Sequence, residues 1–250
     1  MNKKGPKQSV FVGDTITTST GTCTVSLYMG ALDVEVTFED GTKVRTRASD
    51  FKLGSVKNPN FPSVFGVGFI GQGPHSSSVS GGKITQCYNA WSAMMNRCYG
   101  KNKQKSYENV IVCQEWHNFQ NFAKWHSENF IEDWELDKDL LGGGKLYSPQ
   151  TCCYLPKELN VILRKKRISN SKYPRGVSLL PGGSFQAASS VRGKKTYLGV
   201  YSNPDEAWMA VKMFVEDKIK LIAFEYKSYL KETTYNSILN YEVKPHNGQE

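Results

Sequence analysis

The sequence predicts an α+β protein: a small all-β part first, a helix-rich mixed part in the middle, and a three-stranded sheet on one helix at the end. Three observations carry this. Residues 10–56 alternate apolar and polar side chains between turn signals. Residues 84–160 place aromatic side chains at helical spacing. Residues 172–230 read as three short strands and a capped helix.

In the first part, Val10-Phe11-Val12 leads into Gly13-Asp14, and short strands follow at Thr15–Thr18, Gly21–Tyr28, Leu32–Phe38 and Lys43–Arg47. Alternation is clearest in Val34-Glu35-Val36-Thr37-Phe38, and Asp40-Gly41 marks a hairpin. Four or five strands in so short a span suggest a small β-barrel of the SH3-like kind over 1–57. Residues 58–83 read as a linker, with Asn58-Pro59-Asn60-Phe61-Pro62 and a Gly/Ser-rich run at 66–82. Val64, Phe65, Val67, Phe69 and Ile70 suggest that part of this linker packs on a neighbour.

The middle part, 84–168, holds two aromatic stripes. Tyr88, Trp91, Met94, Met95 and Cys98 form one; Trp116, Phe119, Phe122, Ala123 and Phe130 form the other, and both read as core. Trp134–Asp139, the glycines Gly142–Gly144 and a strand-like Cys152–Leu155 follow, and Pro156-Lys157-Glu158 starts a helix. In the last part, 169–230, strands are expected at Arg175–Leu180, Ser184–Val191 and Lys195–Tyr201. Asn203 is placed to cap the next helix, with Pro204 at its first position and Glu206 at its third. Such a sheet has one face on its helix and the other open. Residues 231–250 read as a tail.

Composition excludes several classes. A chain of 250 residues that is 39% hydrophobic and 12% aromatic folds rather than staying disordered. No run approaches the roughly 18 apolar residues of a membrane span, and no apolar segment follows the basic start, so a cytoplasmic protein without a membrane partner is expected. The six cysteines form no C-x-x-C pair and read as reduced, mostly buried thiols.

The net charge is +9, and its distribution is one-sided. No acidic residue lies between Glu158 and Asp205, a stretch carrying Arg164, Lys165, Lys166, Arg167, Lys172, Arg175, Arg192, Lys194 and Lys195. Those charges equal the whole net charge, so the rest of the chain is balanced. A solvated basic face is the plain explanation; a block this long more often binds phosphates.

Arg175-Gly176-Val177, Gly183-Ser184-Phe185-Gln186-Ala187, Gly193-Lys194-Lys195-Thr196-Tyr197-Leu198-Gly199 and Pro204-Asp205-Glu206-Ala207 together resemble an AP2-type DNA-binding domain. The resemblance implies a sheet lying in the major groove of double-stranded DNA with its helix behind. Alternation then puts Phe185, Ala187, Ser189 and Leu198 against the helix and turns Gln186, Ala188, Ser190, Arg192, Lys195 and Tyr197 outward. Arg175, Arg192, Lys194 and Lys195 are candidates for phosphate or guanine, Gln186 for adenine, and Arg164–Arg167 for a phosphate clamp.

The Trp91…Arg97-Cys98 helix, Val112-Cys113-x-x-Trp116-x-x-Phe119-x-x-Phe122-x-x-Trp125 and the run from Leu136-Asp137 to Tyr147-Ser148-Pro149-x-Thr151-Cys152 resemble the HNH regions that precede AP2 domains in phage homing-endonuclease-like proteins. That resemblance implies a ββα-metal nuclease with a histidine base, a positioning asparagine and a second histidine. Here Lys138, Thr151 and Lys157 stand in those places, while Asp137 and Asp139 remain. A lysine is a poor general base at neutral pH and a poor metal ligand. The expectation is a DNA-binding scaffold with degenerate nuclease chemistry and no cofactor. A working nuclease would instead use Asp137 and Asp139 to hold a divalent metal such as Mg²⁺, with His117 or His126 as a relocated base. A third alternative is an interaction protein that engages a host protein through its N-terminal β part.

Overall fold

The structure is a computed structural model that describes residues 8–164 and 172–245. It divides into two compact units, Met1–Glu128 and Asn129–Glu250. The division falls inside the stretch read from sequence as 84–168. Among the described residues no helix is long and apolar enough to cross a membrane.

The first unit opens with four antiparallel strands, β1 (Thr15–Thr18), β2 (Gly21–Gly30), β3 (Asp33–Phe38) and β4 (Lys43–Thr46), in the order β1-β2-β3-β4. Alternation decides the buried side: Val34, Val36 and Phe38 join Val10, Cys23, Val25, Ala48, Phe51 and Val56 in one core. The expected small barrel is not closed among the described residues; the sheet β1-β2-β3-β4 is open. The physical reason lies in the short helix α1 (Ala48–Lys52). The amides of Gly54 and Ser55 bond back to the carbonyls of Phe51 and Asp50, so they pair with the helix end and not with an edge strand.

The stretch read as a linker is threaded onto the helices of this unit. Phe69 donates its amide to the His117 carbonyl and accepts from the Phe119 amide, both at 2.9 Å. The Gln120 side chain bonds the backbone of Ile70 and both backbone groups of His75. Helix α2 (Gln86–Tyr99) is capped by the Thr85 hydroxyl, which accepts from the Tyr88 amide, and α3 (Phe119–Asn129) follows a two-residue strand, β5 (Ile111–Val112). Side chains of the two aromatic stripes meet one another. Trp91, Met94, Met95, Trp116, Phe119 and Phe122 are fully buried, and the Trp91 indole N–H donates to the Trp116 carbonyl at 2.7 Å.

In the second unit, β6 (Trp134–Asp137) runs antiparallel to β8 (Cys153–Pro156), with α4 (Asp139–Gly142) and a two-residue β7 (Leu146–Tyr147) between them. Helix α5 (Lys157–Leu163) follows and contacts both strands, giving a strand-strand-helix unit. Then come β9 (Val177–Leu179), β10 (Phe185–Val191) and β11 (Lys194–Tyr201), antiparallel in the order β11-β10-β9, and the long helix α6 (Pro204–Glu225). The expected cap is present: the Asn203 side chain accepts from the Glu206 amide at 2.9 Å with Pro204 at the helix start.

Helix α6 serves two cores. Its first half buries Ala207 and Val211 against Val177 and Ala187 of the three-stranded sheet. Its second half buries Ile219, Ile222 and Ala223 with Cys153, Leu155, Leu159 and Leu163 of the strand-strand-helix unit. The stretch read as a tail completes that second core. Helix α7 (Glu232–Leu239) fully buries Ile238, and the Tyr241 hydroxyl donates to the Leu163 carbonyl at 3.0 Å. A short amphipathic helix after a turn looked like tail because its few apolar residues are core only once α6 supplies the partner.

Candidate nucleic-acid interface

The β10–β11 register assigns the open face. Gln186 pairs with Val200, Ala188 with Tyr197 and Ser190 with Lys195, and these alternate with the helix-facing pairs Phe185–Tyr201 and Ala187–Gly199. On the other side of β10, Ser178 pairs with Gln186. Tyr197 is 60% exposed and Val200 48% exposed, while Ala187 is fully buried. The expected outward positions of Gln186, Ala188, Ser190, Lys195 and Tyr197 agree with this register.

Sequence alternation missed a bulge. The register shifts between Ala187 and Ala188, skipping Leu198, so the faces exchange along β11. Leu198 packs with the helix-side core, as does Tyr201, and Val200 turns to the open face. The signal was Gly199, whose φ of 128° is a backbone conformation that side chains disfavour. The same register pairs Lys194 with Val191, at the hairpin tip and on the helix side of the sheet. Lys194 is exposed there.

Arg192 requires a correction. Expected as an outward DNA contact, it is instead held by two carboxylates. Its Nη2 donates to Glu158 Oε1 at 2.9 Å, and its Nη1 to Glu225 Oε1 at 3.0 Å. The Tyr226 hydroxyl adds a 2.7 Å bond to the same Glu158 oxygen. The hydrogen bonds and charge of these carboxylates push the guanidinium further up and hold Glu158 and Glu225 below the usual carboxylate range. Arg192 is at the turn, with a φ of 52° followed by Gly193 at 73°, the left-handed pair of a tight hairpin. That conformation is costly for arginine, and the double carboxylate clamp offsets it.

Other members of the basic block differ in their engagement. Arg164 lies 3.7 Å from Glu135, in an exposed ion pair. Lys172 stands over the Tyr173 ring. Lys172, Arg175, Lys194 and Lys195 are exposed and make no ion pair among the described residues. Lys165, Lys166 and Arg167 lie outside the described residues.

The four residues named for nuclease chemistry are divided between the units: His117 and His126 in the first, Asp137 and Asp139 in the second. His117 Nε2 lies 3.1 Å from the Val112 carbonyl and 3.4 Å from the Tyr99 hydroxyl, so it fastens a loop. His126 is buried and stacked on Phe122, and burial holds its imidazole below the usual value, favouring the neutral ring. Asp137 is buried, and its Oδ1 accepts from the amides of Asp139 and Leu140 at 3.0 and 2.9 Å, capping α4. Burial raises its carboxyl despite those amides. Asp139 is bonded to the buried Lys138 ammonium at 3.0 Å, and the same ammonium stands 5.7 Å from the Tyr147 ring centroid. The Thr151 hydroxyl donates to the Leu146 carbonyl at 2.8 Å and accepts from the Ser148 amide, holding the loop before β8. Among the described residues, no three His, Cys, Asp or Glu side chains form a group that could hold a metal.

No disulfide joins any of the six cysteines, and burial pushes Cys87 up to about 12, where it stays protonated. No family model matches this chain, and no curated protein or solved structure matches it either.

Proposed function

We propose that this chain binds double-stranded DNA through the open face of the β9–β11 sheet, on a scaffold of the phage HNH/AP2 homing-endonuclease kind. The single observation that carries the reading is that face: exposed Tyr197, Lys195 and Ser190 with half-buried Gln186, with no acidic side chain, backed by α6. Exposed Lys172, Arg175 and Lys194 belong to the same acid-free stretch and supply charge for the phosphate backbone. The strand order β6-β8 followed by α5 supports the HNH part of the reading, and the three strands before a capped helix support the AP2 part.

Within that reading the nuclease chemistry is degenerate. Lys138 and Asp139 neutralise each other, both amide bonds to Asp137 Oδ1 serve a helix start, and Thr151 holds a loop. The experiment is a titration of the whole chain against duplex DNA at two salt concentrations. Binding at low salt that weakens steeply at high salt is expected; no binding at low salt, or affinity indifferent to salt, refutes the proposal.

A further inference from the structure

We propose that the open face reads an A·T base pair in the major groove, with Gln186 taking the adenine edge and Val200 the thymine methyl group. This rests on the DNA-binding reading above and deepens it by naming the base pair.

The commonest specific protein–DNA contact is arginine on guanine. Arg192, the arginine of the β10–β11 turn, is committed to Glu158 and Glu225, and no outward position on β10 or β11 is arginine. What remains in the central row is Ser178, Gln186 and Val200, side by side across three strands. A primary amide offers the donor and acceptor pair that matches adenine N6 and N7, and an exposed branched aliphatic group matches the thymine methyl.

Spacing agrees with this assignment. Gln186 and Val200 are direct cross-strand partners, about 5 Å apart at Cβ, a separation that lets the two side chains meet one base pair or two adjacent ones. Along β10 the outward neighbours of Gln186 are Ala188 and Ser190, both small, so backbone and amide can approach the groove floor. Val200 reaches this row only because the bulge at Leu198 exchanges the faces of β11.

The test uses the whole chain. A randomised duplex pool is selected for binding at 50 mM salt, and the best duplex is remade with deoxyuridine for thymine. Selection should fix at least one A·T pair. Removing the methyl groups should weaken the unaltered chain about fourfold, the value of one buried methyl-sized group. Val200→Ala should bind thymine and uracil duplexes equally, and Gln186→Ala should lower the preference for adenine at the fixed pair by about tenfold. Both side chains are on the surface, and circular dichroism of each variant checks that the fold is retained. A pool with no fixed A·T pair, equal binding of thymine and uracil duplexes by the unaltered chain, or a thymine preference that survives Val200→Ala overturns the inference while leaving DNA binding in place. Failure to bind any duplex removes the DNA-binding reading, and the inference with it.

Discussion

Neutralising Arg192 should barely change the salt dependence of DNA binding, whereas neutralising its neighbours Lys194 and Lys195 should change it strongly. Within the acid-free stretch, the four exposed cations without an ion pair among the described residues are Lys172, Arg175, Lys194 and Lys195. If each covers one phosphate, the slope of log affinity against log salt is about −3.6, so affinity falls roughly 150-fold between 50 and 200 mM. The double variant Lys194→Gln, Lys195→Gln keeps two such charges, giving a slope of about −1.8 and a fall of roughly 12-fold. Arg192→Gln removes a charge that Glu158 and Glu225 already compensate, so its slope should match that of the unaltered chain. Fluorescence anisotropy with a labelled duplex at four or more salt concentrations measures all three. A slope for Arg192→Gln shallower than that of the unaltered chain by about 0.9, the value of one phosphate contact, would refute the reasoning, because it would mean that the carboxylate clamp opens on DNA.

Further outcomes follow from the second unit and from one glycine of the first. Ile238→Ala should cost about 3 kcal/mol in urea unfolding, since it empties a fully buried site in the core shared by α5, α6 and α7; a loss under 0.5 kcal/mol would return 231–245 to the status of a tail. Asp137 has a raised carboxyl, so the folded state binds its proton more tightly than the unfolded chain does, and its contribution is lost as pH rises through the folded value. Asp137→Asn keeps an acceptor for the two α4 amides, so its stability relative to the unaltered chain should rise from pH 4 to 7, and a flat difference in thermal melts would contradict this. Supercoiled plasmid should stay intact with Mg²⁺, Mn²⁺ or Zn²⁺ at protein levels that saturate binding; metal-dependent nicking on an agarose gel would restore the nuclease. Gly68→Ala should destabilise by about 1–3 kcal/mol, because the added carbon meets Trp91 and Met95 at 2.9 Å inside the core, and an unchanged melting temperature would show that core to be looser than drawn.

Local chemistry was legible in the sequence, and long-range partnership was not. The Asn203 cap, the Thr-rich β1–β2 hairpin and both aromatic stripes depend on neighbours within a few residues or on a repeating spacing, and each formed as expected. The open face was legible up to Tyr197, where alternation holds, and beyond it the bulge reassigned Val200. Arg192 was misread because its carboxylates lie 34 and 33 residues away, on α5 and α6, and nothing near it in sequence announces them. The barrel failed for a similar reason. Strand count and turns predict strands, whereas closure depends on where a few amides of the last segment go, and those of Gly54 and Ser55 return to α1.

The two-core helix α6 bears on how such a protein can be taken apart. A DNA-binding module that ended with its own helix could be cut out and joined elsewhere. Here a fragment of 169–230 would carry the sheet and all of α6, but it would leave Ile219, Ile222 and Ala223 without the residues that cover them. Stripped of β8, α5 and α7, that half of the helix becomes an apolar surface prone to association. The sheet and α6 are therefore not a separable module. Their folding is tied to the strand-strand-helix unit beside them, because the second half of α6 is covered by that unit and by α7.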